Sequence, residues 1–156
     1  MNFSVSEENH IKAIFHLQQQ DGFATTNEVA NELSTKPASV TDMMKKLKAK
    51  KLLHYEPYQG FRLSNDGNKV ALGIIRRHRL WEYFLSEKLN FTWDEVHEVA
   101  EELEHVSSKK LTDRLDEFLG FPKFDPHGDP IPDINGNIEP AKVVSLKELA
   151  ANTKAI

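Results

Sequence analysis

The sequence predicts a mainly α-helical chain in two parts, an N-terminal winged helix-turn-helix followed by an all-helical unit. Three observations carry that expectation. The first 64 residues hold three segments of helical apolar period and then two strand-like pieces around a turn. Three more helical segments follow before prolines and glycines dominate from Phe121 onward. Hydrophobic residues make up 39% and charged residues 28% of the 156, which suits a packed core rather than disorder. The expected parts are 1–64, 65–125 and a Pro/Gly-rich tail over 126–156.

The elements follow in order. Glu7 to Gln20 is expected to be helical, with Ile11, Ile14, Phe15 and Leu17 as its apolar stripe and Asp21-Gly22 as its end. Thr25 and Glu28 have capping-box spacing and open a short helix with Val29, Ala30 and Leu33 inward. After a turn at Ser34-Thr35-Lys36, Pro37 suits the first turn of a third helix, whose inner face is Val40, Met43, Met44 and Leu47. Leu52–Glu56 and Phe61–Leu63 flank Pro57-Tyr58-Gln59-Gly60 as a hairpin. A long helix runs from about Asn65 to Lys88, with Val70, Ile74, Trp81, Phe84 and Leu85 on one side. Thr92-Trp93-Asp94-Glu95 is a second capping box and opens a helix interrupted at Ser107-Ser108. Lys109 to Leu119 is the sixth helix, stopped by Gly120. In the tail, Lys142 to Leu146 alternates as a strand would, and it could begin something further.

The bulk composition excludes several classes. There is no cysteine, so disulfides and thiolate metal sites are ruled out, and any metal must be held by oxygen and nitrogen. No apolar run approaches a membrane span, and MNFSVSEENH is not a secretory signal, so a cytoplasmic protein with no membrane partner is expected. No Ser/His/Asp triad or glycine-rich phosphate loop stands out, which argues against an enzyme. Net charge is −4. Its distribution is uneven: residues 36–51 carry six lysines against Asp42 alone, whereas residues 64–156 hold 12 basic and 17 acidic side chains. A compact basic patch on an acidic chain is an electrostatic footprint for phosphates.

That patch coincides with the third helix, which in a winged helix enters the major groove while the hairpin lies beside the backbone. Small groups at the start of this helix let it approach base edges, and lysines at its far end meet phosphates. The expected DNA-contacting residues are Thr26, Lys36, Pro37, Ala38, Ser39, Thr41, Lys45 and Lys46. Helix-turn-helix units also serve as protein-interaction modules, and that reading stays open here.

The second part raises a metal question. In "RRHRLWEY", His78 and Glu82 sit at i and i+4, on the edge of the apolar stripe. In "VHEVAEELEHV", His97, Glu101, Glu104 and His105 sit at i, i+4, i+7 and i+8, on one face of a helix. Imidazole and carboxylate together are ligands for a first-row transition metal. The competing reading is a solvated acidic face, because Val96, Val99, Leu103 and Val106 point nearly the opposite way. An antiparallel pairing of the two helices would bring His78 and Glu82 to His97 and leave Glu101, Glu104 and His105 as a second cluster.

With the winged helix, "RRHRLWEYFL", "VHEVAEELEHV" and "DPHGDPIP", the chain from about Ser6 to Pro132 resembles the metal-dependent repressor family, the diphtheria-toxin-repressor and manganese-transport-regulator group. The resemblance implies a winged-helix domain plus a helical metal-binding and dimerisation domain, and repression of metal-homeostasis genes when Mn²⁺ or Fe²⁺ is bound. By position it makes His78, Glu82 and His97 one site. It makes Glu101, Glu104 and His105 the other, joined from the first helix by the residue matching Asn9. Iron-type members have methionine at the position of Asn9 and cysteine at that of Glu101, and manganese-type members have aspartate and glutamate. Lys12 stands where some manganese members have a second acid. Glu101 is a hard oxygen donor, so Mn²⁺ is expected with Fe²⁺ as the alternative, at two ions per subunit. Longer members add an SH3-like domain near where this chain stops, so that domain is either absent or truncated here.

The mechanism so implied is a switch. A divalent ion neutralises Glu101 and Glu104, ties in Asn9, and fixes the winged helices of a homodimer to match two half-sites of a palindromic double-stranded operator. Trp81, Phe84 and Leu85 are available for the dimer contact. Two other classes compete. The E-x-x-H pairs Glu7/His10 and Glu102/His105 suit a di-iron carboxylate bundle. A winged-helix regulator with no metal is the other.

Overall fold

Ser4 starts the first helix, three residues before the expected beginning. Its side chain accepts from the Glu7 backbone N–H, and the Glu7 carboxylate accepts from the Ser4 N–H, which completes a capping box. The structure, a computed structural model, describes residues 2–138. Helix α1 spans Val5–Asp21, α2 Thr26–Leu33 and α3 Pro37–Ala49. Strands β1, Leu53–Glu56, and β2, Gly60–Leu63, follow, and then α4, Asn65–Leu89, α5, Val96–Leu103, and α6, Lys109–Phe118. The fold is the mainly helical one expected, with one two-stranded sheet. Among the described residues no helix is long and apolar enough to cross a membrane.

The chain divides into two compact units, Met1–Ile74 and Ile75–Ile156. In the first unit the α2 capping box forms as its spacing predicts, between Thr25 and Glu28. Pro37 sits in the first turn of α3, where its missing N–H costs nothing. Ile11, Ile14, Val29, Val40, Met44 and Leu47 bring the inner faces of the three helices into one apolar core, closed by Leu53 and Leu63 of the hairpin. The hairpin is antiparallel, with Leu53 opposite Leu63 and Tyr55 opposite Phe61. Phe61 also bridges to Ala24, so the strand pair is anchored beside α2. Gly60 is required there: its φ is +127°, and a Cβ would lie 2.6 Å from the Ala24 carbonyl oxygen. Gln18 of α1 accepts from the Leu63 N–H at 2.9 Å and donates to Asn68 at 2.8 Å, fastening β2 and the start of α4.

The second unit departs further from expectation. Thr92 and Glu95 form half a capping box, with the Thr92 N–H reaching the Glu95 carboxylate at 3.4 Å. The chain turns there, and α5 begins only at Val96. It also ends at Leu103, so Glu104 is its cap and His105 lies beyond it. The buried row of α5 is Val96, Ala100 and Glu104, rotated from the expected valine-leucine row toward the glutamates, and Val106 is exposed. Arg76 ties α4 to α6 through Asp113 at 3.3 Å and Asp116 at 2.9 Å. Arg79 donates to the Pro130 carbonyl, holding the chain after α6. That segment is ordered by a turn in which Asp125 accepts from the backbone of His127 and Asp129, and the same turn recurs at Asp133 with Asn135 and Asn137. The alternating stretch Lys142 to Leu146 lies outside the described residues.

Candidate metal centre and nucleic-acid interface

Glu82 is the hub of the second unit. It lies two turns into that unit's share of α4, is 2% exposed, and sits within the buried stripe rather than on its edge. Its Oε2 finds no hydrogen-bond partner of proper geometry. Three imidazole nitrogens surround that one oxygen instead: His78 Nε2 at 3.3 Å, His97 Nδ1 at 3.5 Å and His127 Nδ1 at 3.4 Å. A buried carboxylate oxygen left unsatisfied among three ring nitrogens is costly unless a cation completes it. Two sets of donors converge there within mutual reach, His78 with Glu82 and His97, and Glu82 with Asp125 and His127. The residues therefore fit a divalent ion held by nitrogen and oxygen.

The far side of each ring is also occupied. His78 Nδ1 is 3.0 Å from Glu104 Oε1, His97 Nε2 is 2.9 Å from Glu101 Oε1, and His127 Nε2 is 3.3 Å from the Trp93 carbonyl oxygen. Each ring would offer a lone pair on its Glu82 side to an ion placed there only after giving up the proton at that nitrogen, while its far nitrogen stays anchored. The ring of Trp93 packs against that of His127 with centroids 5.0 Å apart. Burial would raise the Glu82 pKa, but hydrogen bonding from His78 and Asp125 and the charges of His78 and His127 hold it down to about 2. Asp125 is pushed the other way, up to about 6, by burial and then by Glu82 beside it. The pair thus keeps one carboxylate ionised and disposes the other to hold a proton.

The sequence-expected ligands are distributed as follows. His78, Glu82 and His97 come together. Glu104 is 1% exposed and turned toward His78, with the Arg77 Nε donating to its backbone carbonyl at 2.6 Å. Glu101 is exposed, although it meets His97. His105 is half-buried beyond the helix end, and Asn9 is half-buried on α1 in the first unit. Among the described residues Glu101, Glu104 and His105 do not converge on one point as the Glu82 sets do. Sequence reasoning missed Asp125 and His127. The signal was in the D-P-H-G-D string, where an Asx turn presents the ring beside its own acid. In the first of the two E-x-x-H pairs, Glu7 is taken up by Lys50, and His10 Nδ1 donates to the Ser6 carbonyl at 2.7 Å.

Lys36, at the N-cap of α3, and Pro37, Ala38, Ser39, Thr41, Lys45 and Lys46 on it are all exposed, while Val40, Met44 and Leu47 are buried. Thr26, at the first residue of α2, is half-buried. The Thr41 hydroxyl donates to the Pro37 carbonyl at 3.0 Å. At the tip of the hairpin Tyr58 is fully exposed with φ at +67°.

Comparison with known proteins agrees in both units. Residues 2–61 match the family described as iron dependent repressor, N-terminal DNA binding domain, and residues 64–133 match iron dependent repressor, metal binding and dimerisation domain. The HTH-type transcriptional regulator MntR of Oceanobacillus iheyensis is 33% identical over 120 residues, 77% of this chain and 81% of that protein. A solved manganese-dependent transcriptional repressor in complex with manganese superposes with a TM-score of 0.77 at 35% identity, over 86% of this chain and 62% of that one. IdeR of T. acidophilum does so at 0.75 and 33%, over 89% and 65%. The chain spans less than two thirds of either solved protein.

Proposed function

Because the chain belongs to the iron-dependent repressor family, we propose that it is a metal-activated DNA-binding transcriptional repressor, working as a homodimer on a palindromic operator of metal-homeostasis genes. The observation that carries the metal half is Glu82 Oε2, buried among three imidazole nitrogens at 3.3–3.5 Å. The DNA half is supported by the exposed face of α3 and its lysines.

In this reading His78, Glu82 and His97 hold one ion, with Asp125 and His127 able to complete or replace part of that set. Asn9, Glu101, Glu104 and His105 hold a second. When bound, a divalent ion supplies the positive charge that so many acids in the second unit lack. The residues do the rest. Glu104, Glu101 and the Trp93 carbonyl orient the three rings before any ligand arrives, which lowers the ordering cost of binding. Glu82, held ionised by its neighbours, is ready as a donor without losing a proton. Arg77 pins the end of α5, so that the carboxylate of Glu104 stays on His78.

Mn²⁺ is the proposed signal, since Glu101 and Glu104 are hard oxygen donors and the chain has no cysteine. The three imidazoles also suit Fe²⁺. The test is binding to a pool of duplexes with Mn²⁺, with anaerobic Fe²⁺ and with EDTA, at one fixed ionic strength because phosphate contacts are salt-dependent. Selection of one palindrome only with metal supports the reading, and the better ion names the signal. Equal binding with EDTA would leave a winged-helix regulator whose histidines are structural.

A further inference from the structure

One side chain on the DNA-facing surface has the wrong sign. Asp42 is the only acid on α3, in a stretch that otherwise carries Lys36, Lys45, Lys46 and Lys48. At 3.6 residues per turn, Ala38, Asp42, Lys45 and Ala49 form a single row, and that row lies opposite Val40, Met44 and Leu47. All four are exposed while the other three are buried. Asp42 is therefore at the centre of the outward face rather than on its flank. It forms no ion pair among the described residues, not even with Lys45 one turn on. A carboxylate placed there repels phosphates and weakens binding to every sequence alike. Such a group earns its place only against a donor.

We propose that Asp42 is a base-reading residue that selects cytosine in each half-site. The inference rests on the reading that α3 enters the major groove. Within that groove the hydrogen-bond chemistry leaves one good partner. Guanine offers the acceptors O6 and N7, and thymine offers the acceptor O4, all of which repel a carboxylate. Adenine offers its N6 amino group next to the acceptor N7, so one oxygen gains what the other loses. Cytosine offers the N4 amino group, and Asp or Glu accepting from it is a favourable pairing. The row around Asp42 favours close approach, because Ala38 and Ala49 add no bulk. The Thr41 hydroxyl proton is already given to the Pro37 carbonyl, so Thr41 has no donor left to offer a base acceptor beside Asp42. Lys45, three residues on, is placed to meet the O6 and N7 of a neighbouring guanine.

The test is selection from a randomised duplex pool by the whole chain, with Mn²⁺ and separately with anaerobic Fe²⁺ at one fixed ionic strength. Wild type, Asp42→Ala and Asp42→Asn are compared. Wild type is expected to fix cytosine at one position of each half-site. Asp42→Ala should keep the rest of the selected sequence but lose discrimination at that position by roughly 5- to 150-fold. Asp42→Asn should move the preference there to adenine, whose N6 and N7 an amide pairs in bidentate fashion. The unchanged remainder of the selected sequence shows that both variants are folded. The assignment is overturned if the wild-type sequence is sharp and neither substitution alters it. It is equally overturned if both variants simply bind all duplexes more tightly, or if the altered position prefers a base other than cytosine. Wild type selecting no sequence with either ion overturns the repressor reading as well, so the two failures look different.

Discussion

Among the described residues, the unit Met1–Ile74 is filled by fourteen buried apolar side chains running from Ile11 to Ile74, whereas Ile75–Ile156 has seven, Ile75, Leu80, Leu85, Val96, Ala100, Leu115 and Ile131. The second unit gives much of its remaining interior to Arg76, His78, Glu82, Glu104 and Asp125. An apolar core is stable by itself, because burial needs no partner chemistry. A core of charges is stable only when each is compensated. The contrast teaches which half of the molecule should depend more on metal for its own stability.

The largest effect should come from Glu82→Gln. It removes the charge on which the three imidazoles converge, and Mn²⁺ affinity at that centre should fall by more than the roughly 10- to 100-fold that an outer partner of a ligand is worth. Calorimetric titration checks it, and retained tight binding would break the comparison. Leu47→Ala should instead destabilise the first unit by about 2–5 kcal/mol. The difference between wild type and variant should be the same in EDTA and in Mn²⁺ when denaturation is followed by amide exchange in α1 to α3, even where the ion that Asn9 helps to hold raises the stability of both; a difference that vanishes with metal would break the comparison. Metal-free protein should also show a pH-dependent stability in the second unit. Asp125 has its pKa raised from 3.8 to about 6, so its neutral form favours the fold. That contribution grows as pH falls from above 6 toward 4. Glu82 is lowered from 4.5 to about 2, so its contribution is full above 4.5 and fades as pH falls toward 2. Metal uptake near pH 5.5 should then release a proton from Asp125, measurable as a buffer-dependent heat. The smallest effect should be Ser4→Ala, which removes the α1 cap and costs about 0.5–2 kcal/mol without touching metal affinity at Glu82.

Local signals in the sequence were read correctly where they decide the structure. Thr25 and Glu28 start α2, Pro37 starts α3, Asn65 starts α4 and Lys109 starts α6, as spacing and turn chemistry predict. The Ser4 cap was missed because it precedes the apolar stripe it serves by most of two turns. The turning of α5 was not legible either. A helical wheel ranks faces by hydrophobicity, and it set Glu104 outside with His97 and Glu101. In the fold Glu104 is drawn in by His78 and Arg77 on α4, a preference that no window over α5 contains. The pairing of His78, Glu82 and His97 was legible because two periodic helices carried it. Asp125 and His127 were not, because a loop has no period and its approach to Glu82 is set by tertiary contacts such as Arg79 on Pro130.

The chain has two tryptophans, and they differ in what they can report. Trp81 packs against Phe84 beside the apolar cluster of the second unit. Trp93 is largely exposed, and its ring rests on His127, whose other nitrogen faces Glu82. A paramagnetic ion arriving at that nitrogen would quench the excited state of Trp93 through the ring it touches. The protein thus carries its own optical gauge, and a Trp81→Phe form would let fluorescence follow the filling of the Glu82 centre with no label and no DNA present.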